Sequence, residues 1–226
     1  MKYFYLYIFF LLCFIVGVSF INTLFSQQEG FNSNKQNFIL LGDSIFKNNA
    51  YVANGKSVDE LLKERTNGKI LCLAMDNAKI VDIYEQIRKI PSGLNNNGTT
   101  IFLSAGGNDI LTHYVNKEND NSDTSILGTM FASYKDVIKN IRISLPNANI
   151  VLVDIYYPEN ITYKQYHSIL LEWNKKLYTY AEEPKNNITS VLKISKILTR
   201  QDDFTFGIEP SALGGGKIVD AIMSNY

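Results

Sequence analysis

The sequence is poor in histidine and cysteine, and both shortages are informative. Only His113 and His167 carry an imidazole among 226 residues, so a histidine base must be one of these two. Of the two cysteines, Cys13 lies in an apolar run and Cys72 in a predicted strand, so a disulfide within the folded domain is excluded and its core must hold it together. Charge imbalance is also lacking: 22 basic and 22 acidic residues leave no net charge, which argues against a nucleic-acid surface. Proline is sparse and glycine modest, and 46% of residues are hydrophobic. That composition belongs to a folded domain rather than a disordered chain, and the length suits one good core.

The first 28 residues have only one charge, Lys2, before Glu29. The apolar run between them is long enough to cross a bilayer, and Gly17-Val18-Ser19 makes a poor cleavage site. The expectation is a membrane anchor over residues 1–25, with a cleaved signal sequence as the alternative, and a polar tether over residues 26–36. Residues 37–226 form the domain. With the short N-terminus inside, the domain lies in a lumen or outside the cell. Asn97, Asn160 and Asn187 sit in glycosylation-type sequons, which an Asn-rich chain also produces by chance.

Five short apolar runs read as buried strands: "NFILLGDS" from residue 37, "KILCLAMDN" from 69, "TTIFLSAGGND" from 99, "NIVLVDIYYP" from 149 and "ITSVLKISKIL" from 188. Segments with helical spacing alternate with them. In "AKIVDIYEQIRKI", for example, Ile80, Ile83, Tyr84, Ile87 and Ile90 share one face. A closing helix is expected at about 212–223. The alternation predicts an α/β fold, a three-layer α/β/α sandwich around a five-stranded, mainly parallel sheet of flavodoxin-like type. Ligands of such sheets bind beyond the carboxyl ends of the strands. The polar residues expected on that rim are Asp43, Ser44, Asp76, Asn77, Asn108, Asp109, Asp154, Asp202, Asp203 and Glu209.

Ser44 sits where a strand meets a turn, a position that exposes a hydroxyl beside free backbone N–H groups and suits a nucleophile; a helix-capping serine is the alternative. The glycines of Gly106-Gly107-Asn108-Asp109 let backbone approach a ligand, and the Asn108 amide can donate to an oxyanion. Tyr156, Tyr157 and Trp173 are candidates for an acceptor surface or for core.

Taken together, "LLGDS" and "GGND" resemble motifs of the SGNH (GDSL-type) hydrolase family, and the resemblance runs over about residues 38–224. It implies Ser44 as nucleophile and first oxyanion donor through its N–H. It also implies Asn108 as side-chain donor and Asn77, in "MDNAK", at the position of the second motif's glycine. The departure is at the end of the chain. Where the family has Asp-x-x-His-Pro, this sequence has Phe206 and then Glu209-Pro210. Both catalytic partners differ in type, yet "DFTFGIEPSALGGGKI" keeps the proline, the small polar residue and the glycines. It resembles a subgroup with Ile-Glu-Pro-Ser at this point.

Three readings of Glu209 follow. It is the base, its carboxylate raised from about 4.3 by burial or by a neighbour such as Asp202 or Asp203. Or His113, four residues after Asp109, serves instead, with His167 expected to be a surface or packing residue. Or hydrolysis is lost and the pocket binds a carbohydrate or acyl ligand. Asp43, Asp76, Asp109 and Glu209 also raise the remote option of a divalent ion. The expectation is a serine esterase acting on an acetyl or short acyl ester of a small molecule or carbohydrate, with Ser44, Asn77, Asn108, Glu209 and Asp203 at the site. No cofactor, metal or nucleic-acid partner is expected. The alternatives are a catalytically inactive binding module at a membrane surface and, last, a purely structural membrane protein.

Overall fold

The structure, a computed structural model, describes residues 36–114 and 124–226. The expected anchor over 1–25 and the tether, apart from Gln36, lie outside the described residues. Among the described residues no helix is long and apolar enough to cross a membrane.

The five strands are β1 (Asn37–Leu41), β2 (Ile70–Cys72), β3 (Thr99–Leu103), β4 (Asn149–Val153) and β5 (Ser190–Leu192), in the order β2-β1-β3-β4-β5. Every pairing is parallel. The α/β sandwich expected from the alternating runs is therefore present. Side chains alternate across the sheet, so Phe38 and Leu40 of β1 join one core layer while Ile39 and Leu41 join the other. With both faces covered, the central strands read as unbroken apolar runs.

One face carries α1 (Val58–Arg65) and the closing helix, and the other carries α2 (Ile83–Arg88), α3 (Gly107–Tyr114), α4 (Thr124–Ser144) and α6 (His167–Glu182). The short α5 (Ile161–Lys164) precedes α6, and α7 (Ala212–Asn225) closes the chain. Ser57 starts α1 with a capping box, exchanging hydrogen bonds with Glu60. Ser211, the small polar residue after Pro210, caps α7 through Gly214 N at 3.1 Å.

Three local departures from the sequence pattern matter for the site. The second apolar run leaves the sheet after Cys72, because Leu73 N and Ala74 N both turn back to Leu40 O and Met75 N reaches Gly42 O. The "GGND" run is not a strand end alone; Gly107 begins α3, which places Asn108 and Asp109 in its first turn. A small antiparallel hairpin, β6 (Phe204–Thr205) with β7 (Glu209–Pro210), lies outside the main sheet and carries Glu209.

Candidate active site

The turn after β1 is held by contacts that only glycine permits. Gly42 has φ +137°, and a Cβ there would lie 2.0 Å from the Ser104 carbonyl oxygen. Buried Gln86 of α2 clamps the same residue: Gly42 N donates to Gln86 Oε1 at 2.7 Å, and Gln86 Nε2 donates to Gly42 O at 2.8 Å. Asp43 is buried and accepts the Ser104 hydroxyl at 2.9 Å and Ile45 N at 3.1 Å, both on Oδ1. These contacts fix Ser44, which is 7% exposed. Among the described residues no acceptor takes the Ser44 N–H. The sequence pattern points to neither Gln86 nor Ser104; nothing in it marks a buried Gln 44 residues downstream as the partner of Gly42.

The third-strand motif is built by similar means. Gly106 has φ +107°, and a Cβ there would press on the Trp173 ring at 2.3 Å. Trp173 is thus core, not acceptor surface. Asn108 Nδ2 donates to Ala78 O at 3.0 Å, and Asp109 accepts Ile80 N at 3.0 Å. Together they tie the start of α3 to the loop after β2. One amide hydrogen of Asn108 is used in this way, the other has no described acceptor, and Asn108 lines the cavity. Asn77, next to Ala78, is left-handed at φ +59°, a conformation asparagine tolerates, and its N–H has no described acceptor. It does not line the cavity itself.

Glu209 reaches the same cavity from the hairpin. Tyr156 donates through its hydroxyl to Ile208 O at 2.6 Å, and buried Asn48 donates through Nδ2 to Pro210 O at 2.9 Å. The residues on both sides of Glu209 are therefore pinned. Asn48 also accepts Val58 N at 2.9 Å, joining the turn after Ser44, α1 and the hairpin. The sequence offers no signal for this role beyond an Asn close behind the nucleophile candidate.

Ser44, Asp43, Asn108 and Glu209 line one cavity of about 50 Å³, whose remaining wall includes Ile110, Leu111, Ile155, Tyr166 and Leu170. Burial raises the Glu209 carboxyl above its ordinary value; the nearby Ser44 hydroxyl pulls back, and the Asp76 charge adds to the rise. Glu209 Oε2 is buried without a hydrogen-bond partner. The neighbour of Glu209 is thus Asp76, not Asp202 or Asp203.

Asp203 belongs elsewhere. It is fully buried, accepts Thr199 N and Arg200 N at 3.0 Å, and pairs with Lys217 at 2.5 Å. Burial works to raise its pKa, but Lys217 and the two N–H groups outweigh that and lower it. Asp202 pairs with Arg200 at the surface. Asp154 accepts Ser195 N and the hydroxyls of Ser195 and Tyr178, bracing β4 against α6 rather than facing Ser44. Neither histidine lines the cavity. His113 rests edge-on against Tyr114, and His167 Nε2 is 2.9 Å from Pro158 O with its ring beside Tyr157. Among the described residues no group of three or more acidic, His or Cys side chains is arranged to hold a metal ion.

Asp43 makes one consequence measurable. Its pKa is raised from 3.8 to about 7, chiefly by burial, with Ser104 and Ile45 N opposing and Glu209 contributing. Between those values the folded protein holds a proton that the unfolded chain has released. The group's contribution is therefore most favourable at low pH and declines as pH rises toward about 7. An asparagine in place of Asp43 would keep an acceptor for both donors. Asp43→Asn is expected to raise stability at pH 8 by on the order of 2 kcal/mol and much less at pH 4. Urea denaturation at the two pH values checks this, and equal effects at both would contradict it.

No family model and no curated protein sequence matches the chain. Solved structures do. Phospholipase A1 from Streptomyces albidoflavus aligns with a TM-score of 0.59 at 14% identity, covering 85% of this chain and 100% of that one. A protein of the G-D-S-L family from Desulfitobacterium hafniense gives 0.60 at 14%, covering 84% and 99%. A carbohydrate esterase whose active site is described as having divergent catalytic and non-catalytic binding functions gives 0.56 at 13%, covering 86% and 70%. The chain therefore has a three-layer α/β/α fold around a parallel sheet. More particularly, the fold is that of the SGNH (GDSL-type) lipases and acylhydrolases, as "LLGDS" and "GGND" led one to expect.

Proposed function

We propose that the protein is a serine esterase that removes a short acyl group, with Ser44 as nucleophile and Glu209 as general base. The observation that carries this reading is the convergence of Ser44, Glu209 and Asn108 on one cavity, with the Ser44 N–H free of any described acceptor. Ser44 Oγ attacks the ester carbonyl carbon while its proton passes to the Glu209 carboxylate. The carbonyl oxygen becomes an oxyanion, held by Ser44 N–H and Asn108 Nδ2. Collapse expels the alcohol, which takes the proton from Glu209, and leaves an acyl-serine. Water then attacks that ester, gives its proton to Glu209, and the intermediate collapses to release the acid and restore Ser44.

A carboxylate is a weak acceptor for a serine proton, so its environment matters. Partial burial and the nearby Asp76 charge both favour the protonated form and make Glu209 a stronger base. The cavity of about 50 Å³ holds a few water-sized volumes, which suits an acetyl or similarly short acyl group. A second reading, a binding module without turnover, is favoured by one observation: no histidine lines the cavity to take the usual part of base.

The test is hydrolysis of p-nitrophenyl esters by the full-length chain between pH 5 and 9. Since only ionised Glu209 accepts a proton, kcat/KM should rise with pH through a pKa above the ordinary carboxylate range and then level off. Acetate should exceed octanoate by at least about tenfold, because the longer chain meets Leu111, Tyr166 and Leu170. Absence of turnover at every pH and chain length would favour the binding module.

A further inference from the structure

The hairpin that delivers Glu209 turns through Phe206 and Gly207, which have φ +49° and +81°, and is closed by Ile208 N on Thr205 O at 3.2 Å. A turn with two positive φ values favours Asn or Gly at its first central position. A bulky aromatic residue there is an outlier that local energetics disfavour. Phe206 also gains little from burial, because 76% of it is exposed. Its ring meets that of Tyr51 edge-on, with centroids 5.9 Å apart. Tyr51 in turn donates its hydroxyl to both oxygens of Asp76 at 2.9 Å, and exposed Asn77 follows. An exposed ring in a strained position, three residues before Glu209, thus stands beside a carboxylate and an amide.

The surroundings divide into two halves around Ser44. The apolar wall of Ile110, Leu111, Tyr166 and Leu170 belongs to α3 and the α5–α6 segment. Tyr51, Phe206, Asp76 and Asn77 cluster on the side of the hairpin and the loop after β2, and none of them lines the acyl cavity. Glu209 joins the two halves: it lines the cavity, follows Phe206 by three residues in the hairpin and has Asp76 as a charged neighbour, so the aromatic side is the one open to the alcohol half of an ester whose acyl group fills the cavity.

We propose that Phe206 and Tyr51 form a stacking platform for a sugar ring, so that the ester offered to Ser44 is a short acyl group on a carbohydrate hydroxyl. This rests on the esterase reading of Ser44. A pyranose has an apolar face of C–H bonds that suits an aromatic ring and an edge of hydroxyls that needs acceptors and donors. Asp76 keeps lone pairs beyond those used by Tyr51, and Asn77 supplies an amide. The strain at Phe206 is then the local cost of keeping the ring at the mouth of the site.

Binding and turnover test this separately. The full-length Ser44→Ala protein is titrated calorimetrically with methyl 6-O-acetyl glycosides of glucose, galactose and N-acetylglucosamine, with and without Phe206→Asn or Phe206→Trp. Saturable binding of at least one glycoside is expected. Phe206→Asn should weaken it about tenfold and Phe206→Trp should keep it. Because Asn accepts the left-handed turn, Phe206→Asn should melt no lower than its parent, an outcome a purely structural role for Phe206 would not give. In the Ser44-containing protein, the same change should raise KM for the glycoside about tenfold, a larger effect than on KM for ethyl acetate. No saturable binding of any of the three sugars, or binding indifferent to Phe206→Asn, overturns the platform. Binding that depends on Phe206 with no hydrolysis of any ester upholds the platform and overturns only the esterase reading.

Discussion

Ser44→Ala is expected to abolish ester hydrolysis by at least about a thousandfold while leaving the fold intact, and Glu209→Gln to do nearly the same. The first loss follows from removing the attacking atom. The second follows because an amide of equal size cannot take the serine proton, although it fills the same space in the hairpin. Ser44 is small and lines the cavity, and none of the described hydrogen bonds uses its hydroxyl, so its removal should shift stability by only about 0.5 kcal/mol. Glu209→Gln should be neutral or mildly stabilising, since a half-buried carboxylate with one unpartnered oxygen is replaced by a neutral group. Steady-state kinetics with p-nitrophenyl acetate beside thermal melts separate the chemistry from the fold. Turnover surviving in Ser44→Ala would remove Ser44 as nucleophile. Turnover surviving in Glu209→Gln alone would leave the nucleophile and require a different base.

The other large effect is on folding itself. Gly42→Ala places a methyl 2.0 Å from the Ser104 carbonyl oxygen, at φ +137°, at the end of the central β1–β3 pair. Neither backbone can yield, because Gly42 is clamped by Gln86 and Ser104 N donates to Leu41 O at 3.0 Å. The expected cost is more than about 4 kcal/mol, most of the stability of a chain at the low end of the ordinary range of about 5–15 kcal/mol. Gly55 supplies the control. It has φ +76°, but a Cβ there meets nothing within 4 Å, so Gly55→Ala should cost only about 1 kcal/mol. Circular dichroism with urea denaturation of both variants measures the difference. Equal, small effects would show that the approach of β1 to Ser104 is not what requires glycine.

Both predictions concern the short segment "LLGDS", whose meaning is only partly open to sequence reading. That a buried strand ends at Gly42-Asp43-Ser44 follows from the apolar run and its turn residues. That Gly42 is required by Ser104 and held by Gln86 does not, because those partners come from the end of β3 and from α2, far along the chain. The same division holds at the other motif. "GGND" marks a strand end with room for a ligand, but the first turn of α3 begins inside it, since Asn108 and Asp109 find acceptor and donor in the loop after β2. Asp203 shows the opposite case. Its nearness to Glu209 in sequence suggests a shared site, yet a buried carboxylate goes where donors satisfy it, here Lys217 and two backbone N–H groups.

By itself the sequence determined the layers of the fold. Hydrophobic periodicity is a local property, and runs of four or five apolar residues between amphipathic helices admit few arrangements other than a covered parallel sheet. It also determined that a serine, an asparagine and a glutamate are available at the strand ends and the closing loop, because residue type is all that such an inference needs. Only the tertiary structure decided which of these groups meet. Asn48 and Tyr156 pin the residues around Glu209, Asp76 rather than Asp203 is its charged neighbour, and Asp154 turns away to Ser195 and Tyr178. Those outcomes depend on hydrogen bonds between residues far apart in the chain, and such pairings leave no periodic trace in the sequence.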